Sequence, residues 1–133
     1  MKVLLVVPTH QYPRYPSFLS FSDFPTGYGY LASTLKKAGH EVYGCNPNNK
    51  VGYKSGREMM EAEITASVVE TKPDLIGIGG LCTDYAFIHD AVEILRVVSD
   101  AKIVLGGGIV THDAEFIKED LKPDYVIKGE GEQ

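Results

Sequence analysis

Short apolar runs alternate along the chain with longer segments in which apolar residues recur every three or four positions. The first run, residues 2–7 (KVLLVV), is almost continuously apolar, as is typical of a strand buried on both faces of a parallel sheet. In residues 27–38, Tyr28 and Leu31 share one helical stripe, and Gly39 can supply a left-handed cap after it. These segments predict a strand followed by a helix.

The same alternation continues to the end of the chain. It predicts further strands at 41–45, 74–79, 101–105 and 124–128, and further helices at 57–72, 85–99 and 112–120. Strand–helix alternation over five strands predicts a parallel sheet with helices on both faces. We therefore expect an α/β, flavodoxin-like (Rossmann-like) fold with strand order 2-1-3-4-5, formed by residues 1–133 as a single domain.

The tripeptide Lys-Pro-Asp occurs twice, at 72–74 and 122–124, each time between a predicted helix and a predicted strand. Proline cannot continue a helix, and it pushes the residue before it out of the α region. We interpret the tripeptide as a matching helix-to-strand junction in successive units of the fold and not as a long-period repeat.

Parallel sheets of this kind bind ligands outside the carboxyl ends of their strands, so the loops that follow the strands should form the site. The loop after the first strand, residues 8–26, is long for a strand–helix connection. Its Phe18, Phe21 and Phe24 need cover, either from a large apolar ligand, from a partner domain or from their own domain. Long loops in compact domains tend to be functional or disordered.

The other carboxyl-end loops are rich in glycine, at 79–80, 106–108 and 129–131. Glycines at a strand end allow a ligand to lie against bare backbone, although tight turns are an alternative for 106–108. The segment 129–131 also has the composition of a linker into a further domain. Thr83 and Asp84, after the third strand, are better suited to cap the next helix than to contact a ligand.

Composition and charge exclude several partners. With 13 basic and 18 acidic residues, the net charge of −5 gives neither nucleic acid nor an acidic membrane a basic patch to bind. No apolar run approaches the roughly 20 residues that span a bilayer. The two cysteines, Cys45 and Cys82, are too far apart for a Cys-x-x-Cys pair and suit a reducing cytoplasm, where we expect the protein to reside.

Several classes of site fail on the residues at the strand ends. A phosphoacceptor receiver domain needs acids where this chain has Pro8-Thr9 and Gly79-Gly80. A flavodoxin needs a hydroxyl-rich phosphate loop, and the P-loop and dinucleotide fingerprints are absent. An enzyme that uses His10 or His112 as acid or base has no paired titratable group to support it. What is left is a glycine-lined site with little charge, suited to a large, flat, mostly uncharged ligand.

An ordered set of short motifs carries a resemblance to a known family. The motifs are PTGYGYLA at 25–32, LKKAGHEV at 35–42, KPDLIG at 72–77, IVLGG at 103–107 and GEGE at 129–132. Together they resemble the amino-terminal B12-binding domain of cobalamin-dependent radical S-adenosylmethionine (SAM) enzymes. The resemblance implies a cobalamin across the carboxyl edge of the sheet, with its nucleotide tail between the sheet and the loops at 79–81 and 106–107. The cofactor-binding residues expected from the loops and the resemblance are Thr9, His10, Gly27, Gly79, Gly80, Leu81, Cys82, Thr83, Gly106, Gly107, Gly108, Gly129, Glu130 and Gly131.

His10 is the candidate cobalt ligand, but the Asp-x-His-x-x-Gly pattern of B12-dependent mutases is absent around it. The resemblance further implies that the chain is a fragment, with a radical SAM domain that follows Gln133 and adds SAM and a 4Fe-4S cluster. Two distant cysteines cannot supply the three that such a cluster needs. The parent enzyme would then be a methyltransferase or an oxidative cyclase. The alternative is a domain of the same fold that has lost its cofactor and docks a partner through residues 18–24.

Overall fold

A computed structural model describes residues 1–9, 12–14, 25–48 and 50–131 of the chain. Its five strands form one parallel sheet in the order β2-β1-β3-β4-β5, which confirms the predicted topology. The strands are β1 (Lys2–Val6), β2 (Glu41–Cys45), β3 (Leu75–Gly79), β4 (Lys102–Gly106) and β5 (Tyr125–Val126). The helices are α1 (Thr26–Lys37), α2 (Gly56–Thr71), α3 (Tyr85–Val98), α4 (Gly108–His112) and α5 (Ala114–Leu121).

The main hydrophobic core lies on one face of the sheet. Side chains alternate between the two faces of a strand, so every second residue of β1, β3 and β4 contributes to this core. The strand residues in it are Leu4, Val6, Ile76, Ile78, Ile103 and Leu105, and they cluster with buried residues of α2, α3, α4 and α5. The alternate residues of the same strands face the opposite side, where α1 lies.

The two Lys-Pro-Asp tripeptides adopt the same conformation. In each, the lysine follows a helix in the left-handed region, with φ of 48° and 47°. The aspartate then pairs with the neighbouring strand: the Asp74 carboxylate accepts from the Lys2 N–H at 2.7 Å, and the Asp124 carboxylate accepts from the Ile103 N–H at 2.9 Å. Both aspartate N–H groups donate to the carbonyls of those same residues at 2.9 Å. The interpretation of the two tripeptides as matching helix-to-strand junctions is confirmed.

The predicted helix at 112–120 is wrong in its extent. The structure instead has α4 and α5, which are separated by Asp113, whose φ of −148° and ψ of 71° are not helical. The Asp113 carboxylate accepts from the Phe116 N–H at 3.1 Å and starts the second helix. The first helix begins inside the segment expected to be a loop, because Ile109 and Val110 are buried in the core cluster.

None of the helices in the described parts of the chain is long and apolar enough to cross a membrane.

Candidate functional site

A groove runs along β3 on the sheet face opposite the main core. Gly77 and Gly79 both point to this face, because residues two apart in a strand share a side. In the strand register, Gly77 lies between Leu5 of β1 and Val104 of β4, and Gly79 lies beside Gly106. The missing side chains leave a trough between the flanking strands that opens at the carboxyl edge.

Helix α1 covers this trough without packing tightly into it. Leu31 and Leu35 share the stripe that Tyr28 begins, and all three line the same cavity as the sheet residues. Even so, none of the twelve residues of α1, all of which the structure describes, is buried. An apolar stripe that faces a cavity is typical of a helix whose packing partner is a ligand.

The resulting cavity has a volume of about 440 Å³ and is almost entirely apolar. Its volume is in the range of small-molecule sites, and its lining extends to the loops at the carboxyl ends of the strands. The floor and walls consist of Val3, Leu5, Val7, Pro8, Pro25, Gly27, Tyr28, Leu31, Leu35, Leu75, Gly77, Ile78, Gly79, Gly80, Leu81, Asp84, Val104, Gly106, Gly107, Gly108, Ile127, Gly129, Glu130 and Gly131.

The Tyr28 hydroxyl lies at the topological switch point of the sheet, between the ends of β1 and β3. It accepts from the Gly79 N–H at 2.8 Å and lies 2.7 Å from the Gly79 oxygen and 2.8 Å from the Val6 oxygen, both acceptors. Burial raises the pKa of the Tyr28 hydroxyl, so it stays protonated and can donate. The Tyr28 hydroxyl of α1 thus hydrogen-bonds to the backbone where β1 and β3 end.

The glycine-rich loops after β3 and β4 pack directly against each other. Gly107 has φ of 81°, and a Cβ there would lie 2.9 Å from the Gly80 nitrogen and 3.0 Å from its oxygen. The Gly80 carbonyl accepts from the Ile109 N–H at 3.0 Å, which joins the loop to α4. A Cβ at Gly108 would lie 3.3 Å from the Leu81 side chain. These glycines therefore permit contact between two loops, and that contact forms one rim of the cavity.

Most of the predicted site residues lie together around the cavity. Those that line it are Gly27, Gly79, Gly80, Leu81, Gly106, Gly107, Gly108, Gly129, Glu130 and Gly131. Gly27 and Gly129 border open space, since a Cβ added at either would meet no atom within 4 Å.

The other four predicted residues lie elsewhere or outside the described residues. Cys82 and Thr83 are exposed in a 3-10 turn just after Leu81. Thr9 is buried, and within the described parts of the chain its Oγ1 is the one buried side-chain polar atom without a hydrogen-bond partner. His10, the candidate cobalt ligand, falls outside the described residues, as do Phe18, Phe21 and Phe24.

Asp84 is the N-cap residue of α3, as predicted, but its side chain makes no capping hydrogen bond to that helix. Its carboxylate accepts from the Leu81 N–H at 2.9 Å, so it closes the 3-10 turn before α3. The Asp84 carboxylate also fills the space beside Gly80, where a Cβ would come within 2.8 Å of Oδ2. Asp84 thereby shapes the rim of the cavity from within the fold.

The floor and roof of the cavity were not predicted from the sequence. Leu5, Gly77 and Val104 lie within predicted strands and Leu31 lies on a predicted helical stripe, and none of the four was a predicted site residue. A signal was available, because glycine in a strand interior weakens the strand and often marks a close approach. Two glycines at i and i+2 in β3 indicate that the approach is on one face.

A polar cluster ties the start of the long loop after β1 to α2 and α3. The Tyr12 hydroxyl donates to Asp90, and its ring packs edge-on against Phe87 at 5.6 Å. Burial, and next the bond to Asp90, raises the pKa of Tyr12 to about 12. Arg57 lies 2.8 Å from the same carboxylate.

His89, Asp90 and Glu93 have ligand atoms close enough to hold a metal ion, so His89 has nearby partners that the sequence did not indicate. Arg57 already supplies the positive charge there, within 2.8 Å of Asp90 and 3.5 Å of Glu93. We therefore interpret the cluster as an anchor for residues 12–14.

Comparisons with known proteins agree with this geometry. The family model described as "B12 binding domain" matches residues 24–133. The cytidylyl-2-hydroxyethylphosphonate methyltransferase of Streptomyces wedmorensis is 26% identical over 148 aligned positions, which cover 98% of this chain and 26% of that protein. This chain therefore spans about a quarter of the length of that relative.

Solved structures show the same fold. The radical SAM methyltransferase TsrM of Kitasatospora setae, solved with cobalamin and a [4Fe-4S] cluster bound, has a TM-score of 0.79 at 22% identity, over 98% of this chain and 22% of that one. The methanol:cobalamin methyltransferase complex MtaBC of Methanosarcina barkeri has a TM-score of 0.62 at 16% identity, over 98% and 42%. Since the family model covers most of the chain, this chain belongs to the B12-binding domain family.

Proposed function

We propose that this chain holds cobalamin at the carboxyl edge of its sheet, with the nucleotide tail inserted in the cavity between β3 and α1. The observation that carries the proposal is the glycine trough of Gly77 and Gly79 under a helix that has no buried residue. Such a trough is costly for a strand unless another group fills it. A nearly uncharged, elongated ligand with a flat head group fits both the cavity and its mouth.

The residues of the site suit the parts of cobalamin in different ways. Aliphatic side chains of β1, β4 and α1 would enclose the tail, and the two packed loops after β3 and β4 would support the corrin. Leu81 is 61% exposed at the rim and would offer an apolar contact to the corrin. The unpartnered Thr9 hydroxyl is a group that a ligand could complete. Bound cobalamin would supply a cobalt centre that carries a methyl group.

We further propose that the full-length protein is a B12-dependent radical SAM enzyme in which a downstream domain supplies SAM chemistry and the 4Fe-4S cluster. The cytidylyl-2-hydroxyethylphosphonate methyltransferase and TsrM are both methyltransferases, which supports methyl transfer over oxidative cyclisation. Both cysteines of this chain are free, with Cys45 buried and Cys82 exposed, which suits a reducing cytoplasm. His10 stays a candidate cobalt ligand.

Mixing the purified chain with hydroxocobalamin tests the proposal. We expect corrin absorbance to co-elute with the protein in gel filtration at high micromolar concentration. Protein that elutes without corrin absorbance, while folded by circular dichroism, would contradict the proposal. It would favour the cofactor-free docking domain of the same fold.

A further inference from the structure

The cavity offers its occupant little hydrogen bonding. Its floor is built from Val3, Leu5 and Val104, and the roof from Leu31 and Leu35. Side chains of this kind attract apolar surface and give nothing to a polar edge. The chemistry of the inner cavity therefore discriminates among the bases that can end a nucleotide tail.

We infer that this cavity selects cobamides whose tail ends in a benzimidazole over those whose tail ends in a purine. The inference rests on the proposed function, since it concerns the tail that the cavity would hold. A dimethylbenzimidazole carries two methyl groups and one ring nitrogen outside its glycosidic bond. The adenine of such a cobamide carries an amino group and ring acceptors such as N3 on its exposed edges. Each of these loses a hydrogen bond to water on entering an apolar cavity and needs a replacement.

Backbone groups at the switch point could replace the hydrogen bonds that a purine loses, but the Tyr28 hydroxyl competes for them. Where β1 and β3 diverge, the Gly79 N–H, the Gly79 carbonyl and the Val6 carbonyl would otherwise be open to a ligand. The Tyr28 hydroxyl bonds at 2.7–2.8 Å to these groups. The hydroxyl accepts from the Gly79 N–H and has one proton to donate to a carbonyl, so a purine edge that enters the cavity finds the N–H and one carbonyl engaged.

The polar side chains at the rim do not restore a purine site deep in the cavity. Asp84 is buried with its carboxylate against the Leu81 N–H, at the loop end of the cavity. Glu130 is exposed, near the end of the described chain. The base that ends the tail therefore meets the aliphatic side chains of the floor and roof and, at the end of β3, backbone groups that lie within hydrogen-bond distance of the Tyr28 hydroxyl.

The test is a comparison of binding constants for three corrinoids with the unmodified chain, by absorbance titration. The three are cobalamin, the cobamide with adenine in place of dimethylbenzimidazole, and cobinamide, which has no nucleotide tail. We expect cobalamin to bind about 10- to 100-fold more tightly than the adenine cobamide, the range that an unpaired polar group costs a ligand. Cobinamide should also bind more weakly than cobalamin.

The substitution Tyr28→Phe tests the role given to the hydroxyl. It frees the Gly79 N–H and the carbonyl that accepts the hydroxyl proton, so the preference for cobalamin over the adenine cobamide should narrow by about fivefold or more. A general loss of stability would weaken both ligands alike and leave their ratio unchanged. The matched control is Tyr43→Phe, since the Tyr43 hydroxyl bonds to Glu41 on the outer strand β2, away from the cavity.

Each other outcome overturns the inference in a recognisable way. Equal affinity for cobalamin and the adenine cobamide would refute base selection while leaving cobalamin binding intact. Equal affinity for cobalamin and cobinamide would show that the tail lies outside the cavity. Absence of binding for all three corrinoids would refute the proposed function, and base selection with it. An unchanged ratio in Tyr28→Phe would refute the role of Tyr28.

Discussion

Filling the glycine trough should block the nucleotide tail without unfolding the protein, and Gly77→Val is the substitution that does so. A Cβ at Gly77 would lie 3.0 Å from Leu5 Cδ2 and 3.7 Å from Val104 Cγ1. The close atom is the end of a flexible side chain beside a cavity, so it can move aside. The added methyl groups would occupy the trough in the middle of its floor.

The cost to folding should be small. Overpacking costs about 1–3 kcal/mol, and replacing a strand glycine recovers about 0.5–1 kcal/mol. The free energy of unfolding of Gly77→Val should therefore fall by about 2.5 kcal/mol or less. Urea denaturation followed by circular dichroism measures this change.

The cost to binding should be larger, because a bound tail leaves Leu5 no space to move into. An overpacking penalty of about 1–3 kcal/mol on the complex raises the Kd for cobalamin about 5- to 150-fold. Cobinamide has no tail, so its Kd should stay unchanged. Absorbance titration of both corrinoids measures the difference.

Gly44→Val is the matched control. Gly44 is an exposed strand glycine in β2, and a Cβ there would meet no atom within 4 Å. It should leave the Kd for cobalamin as it is. A folded Gly77→Val protein that binds cobalamin as tightly as the parent would refute the placement of the tail in the trough.

Three further predictions concern the corner residues and the thiols. Asp124→Ala should lower the free energy of unfolding by about 1.5–3 kcal/mol near pH 7, because the carboxylate accepts from Ile103. That bond, more than the nearby cations, holds the pKa of Asp124 well below its usual range. Urea denaturation should therefore show the full loss of unfolding free energy above about pH 4 and a smaller loss towards about pH 2. A loss that is independent of pH would contradict this prediction. Lys122→Gly should raise the free energy of unfolding by up to about 1 kcal/mol, because φ of 47° is strained for lysine. The melting temperature should therefore rise, and a lower melting temperature would refute the strain. Iodoacetamide should label the exposed Cys82 at least about 10-fold faster than Cys45, which is buried and whose thiol pKa is raised by burial. Mass spectrometry should also show that bound cobalamin slows the labelling of Cys82. Labelling of Cys82 at an unchanged rate would contradict a corrin over that edge of the sheet.

The sequence predicted the fold well because the relevant signals are local. Continuous apolar runs and the two Lys-Pro-Asp corners depend on backbone preferences that act within a few residues. The division of the 112–120 segment at Asp113 was not predicted, because two helices separated by one non-helical residue have nearly the same periodicity as one helix. The glycine loops were placed at the correct edge for the same topological reason.

The cavity was harder to predict, because its existence depends on how α1 packs. The stripe of Tyr28, Leu31 and Leu35 has the periodicity of an ordinary core helix. Whether such a stripe packs into the sheet or stands over a trough depends on residues distant in sequence, above all Gly77. Likewise, the glycines at 80 and 107 were expected to approach a ligand, and the structure adds that they approach each other.

The spectrum of methylcobalamin mixed with the chain tests the central claim most directly. In free methylcobalamin the dimethylbenzimidazole of the tail coordinates cobalt. If the tail enters the cavity between β3 and α1, the base must leave the metal, and the spectrum must change to the base-off form. In His10→Ala, which lacks the candidate cobalt ligand, we predict a saturable shift to the base-off spectrum at one equivalent of cobalamin per chain. A His10→Ala spectrum that stays base-on at saturating protein would contradict the account.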